Sequence, residues 1–183
     1  YAPDVRDVAL LAISPTKYHR DILTAFGRLP GVTAVVDETP SSVTTSTTRG
    51  DVTLRVAPPV HAGAALAWHT GTQAHTTQLG QRAKRLDLHF SDGRLRRSGG
   101  PDVPTATEAD LYRELELPYI APELREGTGE IAAADAGTLP NLISELHIRG
   151  DLHMHSTWSD GRDTIETMVF AAKQLFYKYT ATT

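Results

Sequence analysis

Apolar positions 8–13 form a short, nearly continuous run, Val-Ala-Leu-Leu-Ala-Ile, of the kind a buried strand requires. Ser14 and Pro15 follow as a cap and a first helical residue, which predicts a helix running to Gly27. Residues 32–36 are β-branched and predict a second strand. Residues 39–50 are rich in Thr and Ser and read as a hairpin connection or loop. A third strand is expected over 52–57, ended by Pro58 and Pro59. Together these make a small mixed sheet with a helix packed on it.

The period changes at His61. Ala64, Ala65, Leu66 and Trp68 have helical spacing before Thr70 and Gly71 break it, and a second helix is expected over 73–85. Residues 86–90 and 94–96 flank Ser91-Asp92-Gly93 as a hairpin. Residues 99–107 read as a loop, 108–115 as a helix and 127–137 as a small, polar linker. The chain then offers a strand over 151–155 and a helix from about Thr164, whose mixed face carries Glu166, Met168, Ala171, Ala172 and Leu175. The expected class is α+β, with divisions at 1–59, 60–126, 127–148 and 149–183.

Composition narrows the possibilities. The 183 residues, 40% hydrophobic and 22% charged, suit a globular protein. With no cysteine, disulfides and zinc–thiolate sites are excluded. No apolar run approaches the roughly 20 residues of a membrane span, and a cytoplasmic protein is expected. A net charge of −4 argues against strong nonspecific attraction to DNA, but the average conceals two basic clusters. These are Arg82, Lys84 and Arg85, then Arg94, Arg96 and Arg97. Each is either a basic surface for nucleic acid or a solvated charged face.

The densest chemistry lies in Asp151-Leu-His153-Met-His155-Ser-Thr-Trp-Ser-Asp160-Gly161. His153 and His155, two apart on a strand, leave on one face. A Ser-Asp-Gly turn can return Asp160 toward them, giving half of a site for a zinc-like or manganese-like ion. The alternative is an exposed strand with two incidental histidines. The stretch resembles the first motif of the PHP (polymerase and histidinol phosphatase) domain, a family of metal-dependent phosphoesterases.

Three further stretches resemble bacterial family X DNA polymerases, in that family's order. They are Leu54-Arg55-Val56-Ala57-Pro58-Pro59, then Gly63 to Leu66 with Thr70-Gly71-Thr72, and finally Glu116-Leu-Pro-Tyr-Ile-Ala-Pro-Glu-Leu-Arg-Glu-Gly-Thr-Gly-Glu130. The resemblance implies a nucleotidyltransferase palm at 1–59, a helical and hairpin thumb at 60–126, a linker at 127–148 and the first β-α unit of a PHP-type (β/α) barrel from 149. It also implies DNA repair synthesis on DNA with gaps or 3′ ends, using deoxynucleoside triphosphates and Mg2+. The PHP part implies Mn2+ or Zn2+ and phosphoesterase or 3′-5′ exonuclease chemistry. A monomer is the expected state, with no membrane partner.

Residue by residue, the family's Asp-x-Asp pair falls on Asp7 and Ala9, and its third acid falls on Thr53. Asp51 shares a strand face with Thr53 at about 6.5 Å; the alternative is that Asp7 and Asp51 are ordinary surface acids. The nucleotide-binding step falls on Trp68, His69, Thr70, Gly71 and Thr72, keeping the glycine turn and an aromatic plane. The asparagine and arginine expected later fall on Thr76 and Gly80, while His75 matches a histidine. Arg82, Lys84 and Arg85 are the candidate DNA contacts. The polymerase site is therefore expected to be degenerate. Two other readings stay open: a noncatalytic DNA-binding scaffold carrying a PHP nuclease, and a small-molecule phosphoesterase.

Overall fold

The computed structural model describes residues 7–182, and side chains over 8–181. The chain divides into two units, the first reaching Leu139 and the second beginning at Pro140.

The first unit opens with β1 (Asp7–Ile13), α1 (His19–Phe26), β2 (Val32–Thr39), β3 (Ser42–Thr47) and β4 (Gly50–Ala57). The sheet order is β1-β4-β3-β2, with β1 parallel to β4 and the other pairs antiparallel. Period-two alternation sorts β4: Leu54 and Val56 join Val43 of β3 and Leu23 of α1 in a small core, leaving Asp51, Thr53 and Arg55 for the other face.

Two expectations change here. Residues 39–50 are not a loop, since β3 lies inside the sheet between β2 and β4. Its Thr side chains are β-branched, and Val43 and Thr45 are buried, so a polar-looking stretch has a strand's alternation and one apolar anchor. The first helix also starts later than Ser14 and Pro15 indicate. A 3-10 turn occupies Thr16–Tyr18, and His19 reaches back to the Ser14 carbonyl at 2.7 Å.

The second half of this unit comprises α2 (Ala62–Thr70), α3 (Gln73–Arg85), the hairpin β5 (Leu88–Ser91) and β6 (Arg94–Arg97), β7 (Asp102–Val103), α4 (Glu108–Glu114) and α5 (Glu130–Asp135). Leu79, Phe90, Leu95, Leu111, Tyr112, Leu115 and Ile120 form its core. Helix α2 is made of small residues because the chain entering α4 lies against it. A Cβ at Gly63 would overlap the Thr107 backbone, and the Gly63 amide donates to the Thr105 carbonyl at 2.8 Å. Thr107 and Asp110 close a capping box on α4.

The expected linker from 127 is instead folded structure. Helix α5 carries Ala134 into the core, and Glu130 is buried. Small residues there read as flexibility but provide close packing.

The second unit is a β-α-β: β8 (Gly150–Met154), α6 (Ile165–Gln174) and β9 (Tyr179–Thr182), with β8 and β9 parallel. Thr164 caps α6 by accepting from the Thr167 amide at 3.3 Å. A returning strand thus lies within this chain, one element beyond the expected β-α. Trp158 and Phe176 are each 88% exposed, so this unit carries large apolar side chains outside its own small core.

Candidate nucleotide and metal sites

On the polar face of the palm, Ala9 lies opposite Thr53 in the parallel register, and Asp7 lies opposite Asp51. The Thr53 hydroxyl is bonded to that of Thr44 at 3.0 Å. The Asp51 carboxylate accepts from the Ser46 hydroxyl at 2.6 Å. The Asp7 side chain lies outside the described residues. Two divalent ions about 3.5–4 Å apart need shared carboxylates; here a methyl and an engaged hydroxyl occupy the middle of the face. These residues do not fit a two-Mg2+ clamp.

The thumb turn is built differently. Thr70 ends α2, the Gly71 amide donates to the Ala67 carbonyl at 3.2 Å, and the Thr72 hydroxyl caps α3 by accepting from the His75 amide at 3.2 Å. Both flanks of Gly71 are then held by Arg125. Its guanidinium donates to the Thr70 hydroxyl at 2.5 Å, and its carbonyl accepts from the Thr72 amide at 3.0 Å. Arg125 is only 1% exposed. Its remaining donors reach Glu108 at 2.6 Å and the Ile120 carbonyl at 2.8 and 3.0 Å, and the rings of Tyr112 and Tyr119 face it. Such a fork satisfies a buried cation at nearly every donor.

A second buried network lies beside it. His75 donates from Nδ1 to Glu130 at 2.6 Å, since an ionised carboxylate only accepts, and its Nε2 lies 3.2 Å from the Tyr112 hydroxyl. Glu130 also accepts from the amides of Gly127, Thr128 and Gly129. Burial lowers the His75 pKa against the opposing pull of Glu130. Burial also acts to raise Glu130, but the His75 and backbone hydrogen bonds outweigh it and its pKa falls. Tyr112 is pushed up to about 12 by burial. Arg125 and Glu130 were not singled out from the sequence. The signal available was an Arg and a Glu set among small residues within the stretch 116–130.

Against this turn lies a groove of about 550 Å³ bordered by Trp68, Gly71, Thr76, Gly80, Lys84 and Phe90. Trp68 packs edge-on to Phe90 with centroids 5.3 Å apart. Of the three candidate DNA contacts, Arg82 is spent within the thumb, on the Leu115 and Glu116 carbonyls and on Asp135 at 2.7 Å. Lys84 and Arg85 are exposed, and Lys84 borders the groove.

In the second unit, the Nε2 atoms of His153 and His155 converge at 3.0 Å. Asp160 does reach this pair, but from behind, accepting from His155 Nδ1 at 2.5 Å. That hydrogen bond lowers the Asp160 pKa. Gly161 makes the return possible: its amide donates to the Ser156 carbonyl at 3.0 Å, and a Cβ there would collide with the His155 carbonyl. Asp160 therefore orients an imidazole, the usual service of a carboxylate behind a metal-binding histidine. Among the described residues, no group of three or more His, Cys, Asp or Glu is set to hold a metal ion. The pair of imidazole donors fits Mn2+ or Zn2+ as half of a shell.

The four-stranded sheet, the glycine turn between two helices and the adjoining hairpin give the first unit a fold similar to that of a solved polymerase beta. Residues 65–126 match the family model described as DNA polymerase beta thumb. The chain is similar to the DNA polymerase/3′-5′ exonuclease PolX of Bacillus subtilis (strain 168), at 35% identity over 115 residues, 62% of this chain and 20% of that protein. It thus spans about a fifth of the length of this curated relative. It also resembles the crystal structure of Leishmania infantum polymerase beta in a ternary P/T complex, at 17% identity and a TM-score of 0.53, covering 66% of this chain and 60% of that one. The resemblance to bacterial family X DNA polymerases holds over the palm and thumb. Among the described residues no helix is long and apolar enough to cross a membrane.

Proposed function

We propose that this chain is the DNA-engaging palm and thumb of a family X DNA repair polymerase, continued by the start of a PHP phosphoesterase. The observation that carries this reading is the Gly71 turn, held on both sides by Arg125 beside an aromatic groove. A fixed glycine turn lets a sugar or base approach backbone closely. Trp68 supplies a stacking plane, and Lys84 supplies charge for a phosphate. The relative PolX is named as a polymerase and 3′-5′ exonuclease, which supports DNA with gaps or 3′ ends and deoxynucleoside triphosphates as partners. A cytoplasmic monomer fits that role.

Nucleotidyl transfer by this chain is proposed to be weak. Ala9 and Thr53 present no charge to a divalent ion, so the developing negative charge of the transition state lacks its clamp. DNA binding persists, because the thumb groove does not depend on those positions.

In the second unit His153 and His155 would hold Mn2+ or Zn2+, which when bound supplies an activated water for attack on a phosphodiester. The chain's own contribution is to fix both rings. β8 aims them, Asp160 holds Nδ1 of His155, and Gly161 shapes the turn. Fluorescence anisotropy with a gapped DNA hairpin tests the first reading. Binding that weakens with salt and with Lys84→Ala is expected; salt-independent or absent binding would contradict it. Calorimetry with Mn2+ tests the second: the parent binds weakly, and His153→Ala with His155→Ala abolishes the signal. Identical titrations would show that the pair is not a metal site.

A further inference from the structure

In the second unit, the end of β8 opposite to His155 lies where β8 and β9 begin. Arg149 and Lys178 stand immediately before the two strands, and the Lys178 amide donates to the Arg149 carbonyl at 2.6 Å. That bond brings two exposed cations together, and among the described residues neither side chain has a hydrogen bond or ion pair. A hollow of about 300 Å³ lies beside them, bordered also by Leu146, Ile148, Leu175 and Phe176. Glu145 is the one carboxylate at its border.

Phe176 is the informative residue. It follows α6 with φ at +58°; its amide donates to the Lys173 carbonyl and that of Tyr177 to the Ala172 carbonyl, each at 3.0 Å. This is the Schellman closure of a helix, whose left-handed position favours glycine because a Cβ is crowded there. A phenylalanine in that place carries backbone strain, yet its ring is 88% exposed, so the helix end gains little packing in return. Neither the closure of α6 nor the core of the unit accounts for this side chain. Leu146, on the same border, is 92% exposed.

The border selects its occupant. Aliphatic and aromatic walls around a hollow at the low end of the roughly 300–1,000 Å³ of ligand clefts suit a single apolar anchor. Cations at the rim favour carboxylates on either side of that anchor. A bilayer would meet a continuous apolar face rather than a hollow. A nucleic-acid strand would use the two cations and leave Leu146, Ile148 and Leu175 in water.

We propose that this hollow docks an acidic peptide segment of a partner protein, with one large apolar side chain entering beside Phe176 and flanking carboxylates pairing with Arg149 and Lys178. The site depends neither on the thumb groove nor on the metal half-site.

Fluorescence anisotropy of a labelled Glu-Glu-Leu-Glu-Glu peptide with the 183-residue chain tests this. Binding should weaken as salt rises, and should be lost when lysines replace the glutamates or alanine replaces the leucine. Arg149→Gln and Lys178→Gln should each weaken it about two- to five-fold, the worth of an exposed ion pair. Phe176→Gly should weaken it roughly ten-fold or more, the loss of an aromatic anchor. The same substitution should raise the thermal midpoint of the chain, because glycine accepts the left-handed conformation without strain, so its loss of binding is separable from a failure to fold. A lowered midpoint would make the ring structural and overturn the proposal. Equal affinity in the parent and Phe176→Gly, or equal affinity for the lysine peptide, would overturn it too. So would dimerisation that excludes the peptide, which gives the hollow to a second copy, or binding to anionic vesicles with none to the peptide, which gives it to a lipid surface.

Discussion

The palm face and the thumb turn stand on neighbouring parts of one unit, yet they are stabilised in opposite ways. On the palm face, hydroxyls and one carboxylate bond in single pairs across adjacent strands, Thr44 to Thr53 and Ser46 to Asp51, on a half-buried surface. At the thumb turn, Arg125 and Glu130 are buried and bind backbone on several sides. The lesson is that the geometry of the Gly71 turn is carried by buried polar networks remote in sequence. The polar face of the sheet rests instead on single side-chain pairs between adjacent strands.

That contrast is most sharply tested by removing its buried side. Arg125→Ala leaves Glu108, the Thr70 hydroxyl and the Ile120 carbonyl without their donor. Breaking one partner of a buried pair costs about 3–5 kcal/mol. Urea unfolding monitored at Trp68, in a Trp158→Phe background, should show that loss; a change within about 0.5 kcal/mol, the range of ordinary surface substitutions, would mean the network is dispensable.

Acid should act on the same region with a smaller effect. His75 is lowered from 6.5 by burial, so the unfolded chain takes up a proton first as pH falls through about 6.5. Its contribution is thus present above that value and is lost progressively below it. Glu130, lowered from 4.5, adds a further loss in the same direction at lower pH. Thermal unfolding of the thumb between pH 7 and 5 should become less pH-dependent in His75→Gln. An unchanged slope would place the acid sensitivity elsewhere.

The smallest stability effect belongs to the palm face. Thr44→Val removes one half-exposed hydroxyl bond and should cost about 0.5–1.5 kcal/mol. A cost as large as that of Arg125→Ala would erase the distinction between the two regions.

Legibility in the sequence follows the same divide. Strand 8–13, the helices at 62–70 and 73–85 and the hairpin around Asp92-Gly93 were readable because their apolar spacing and turn residues agree. Strand β3 was not, because Thr and Ser look like loop until Val43 and Thr45 are seen to face inward. Helix α5 was hidden for a related reason: Gly127, Gly129 and a run of alanines resemble a linker, whereas they let Glu130 meet His75. At the sites, the absence of acids at Ala9 and Thr53 needed only the family pattern. That Asp160 would act on the far side of His155 needed coordinates, because an i, i+5 return around Gly161 can end on either ring nitrogen. Arg82 looked like a DNA contact until its carbonyl partners, 33 and 34 residues away, were in place.

The central proposal is that this chain engages DNA through its thumb while its palm lacks the divalent clamp, and a gap-filling assay with Mg2+ tests it most directly. The parent should bind gapped DNA but add little or no nucleotide, and Ala9→Asp combined with Thr53→Asp should raise incorporation without tightening binding to DNA alone. Normal incorporation by the parent, abolished by Asp7→Ala, would contradict the account.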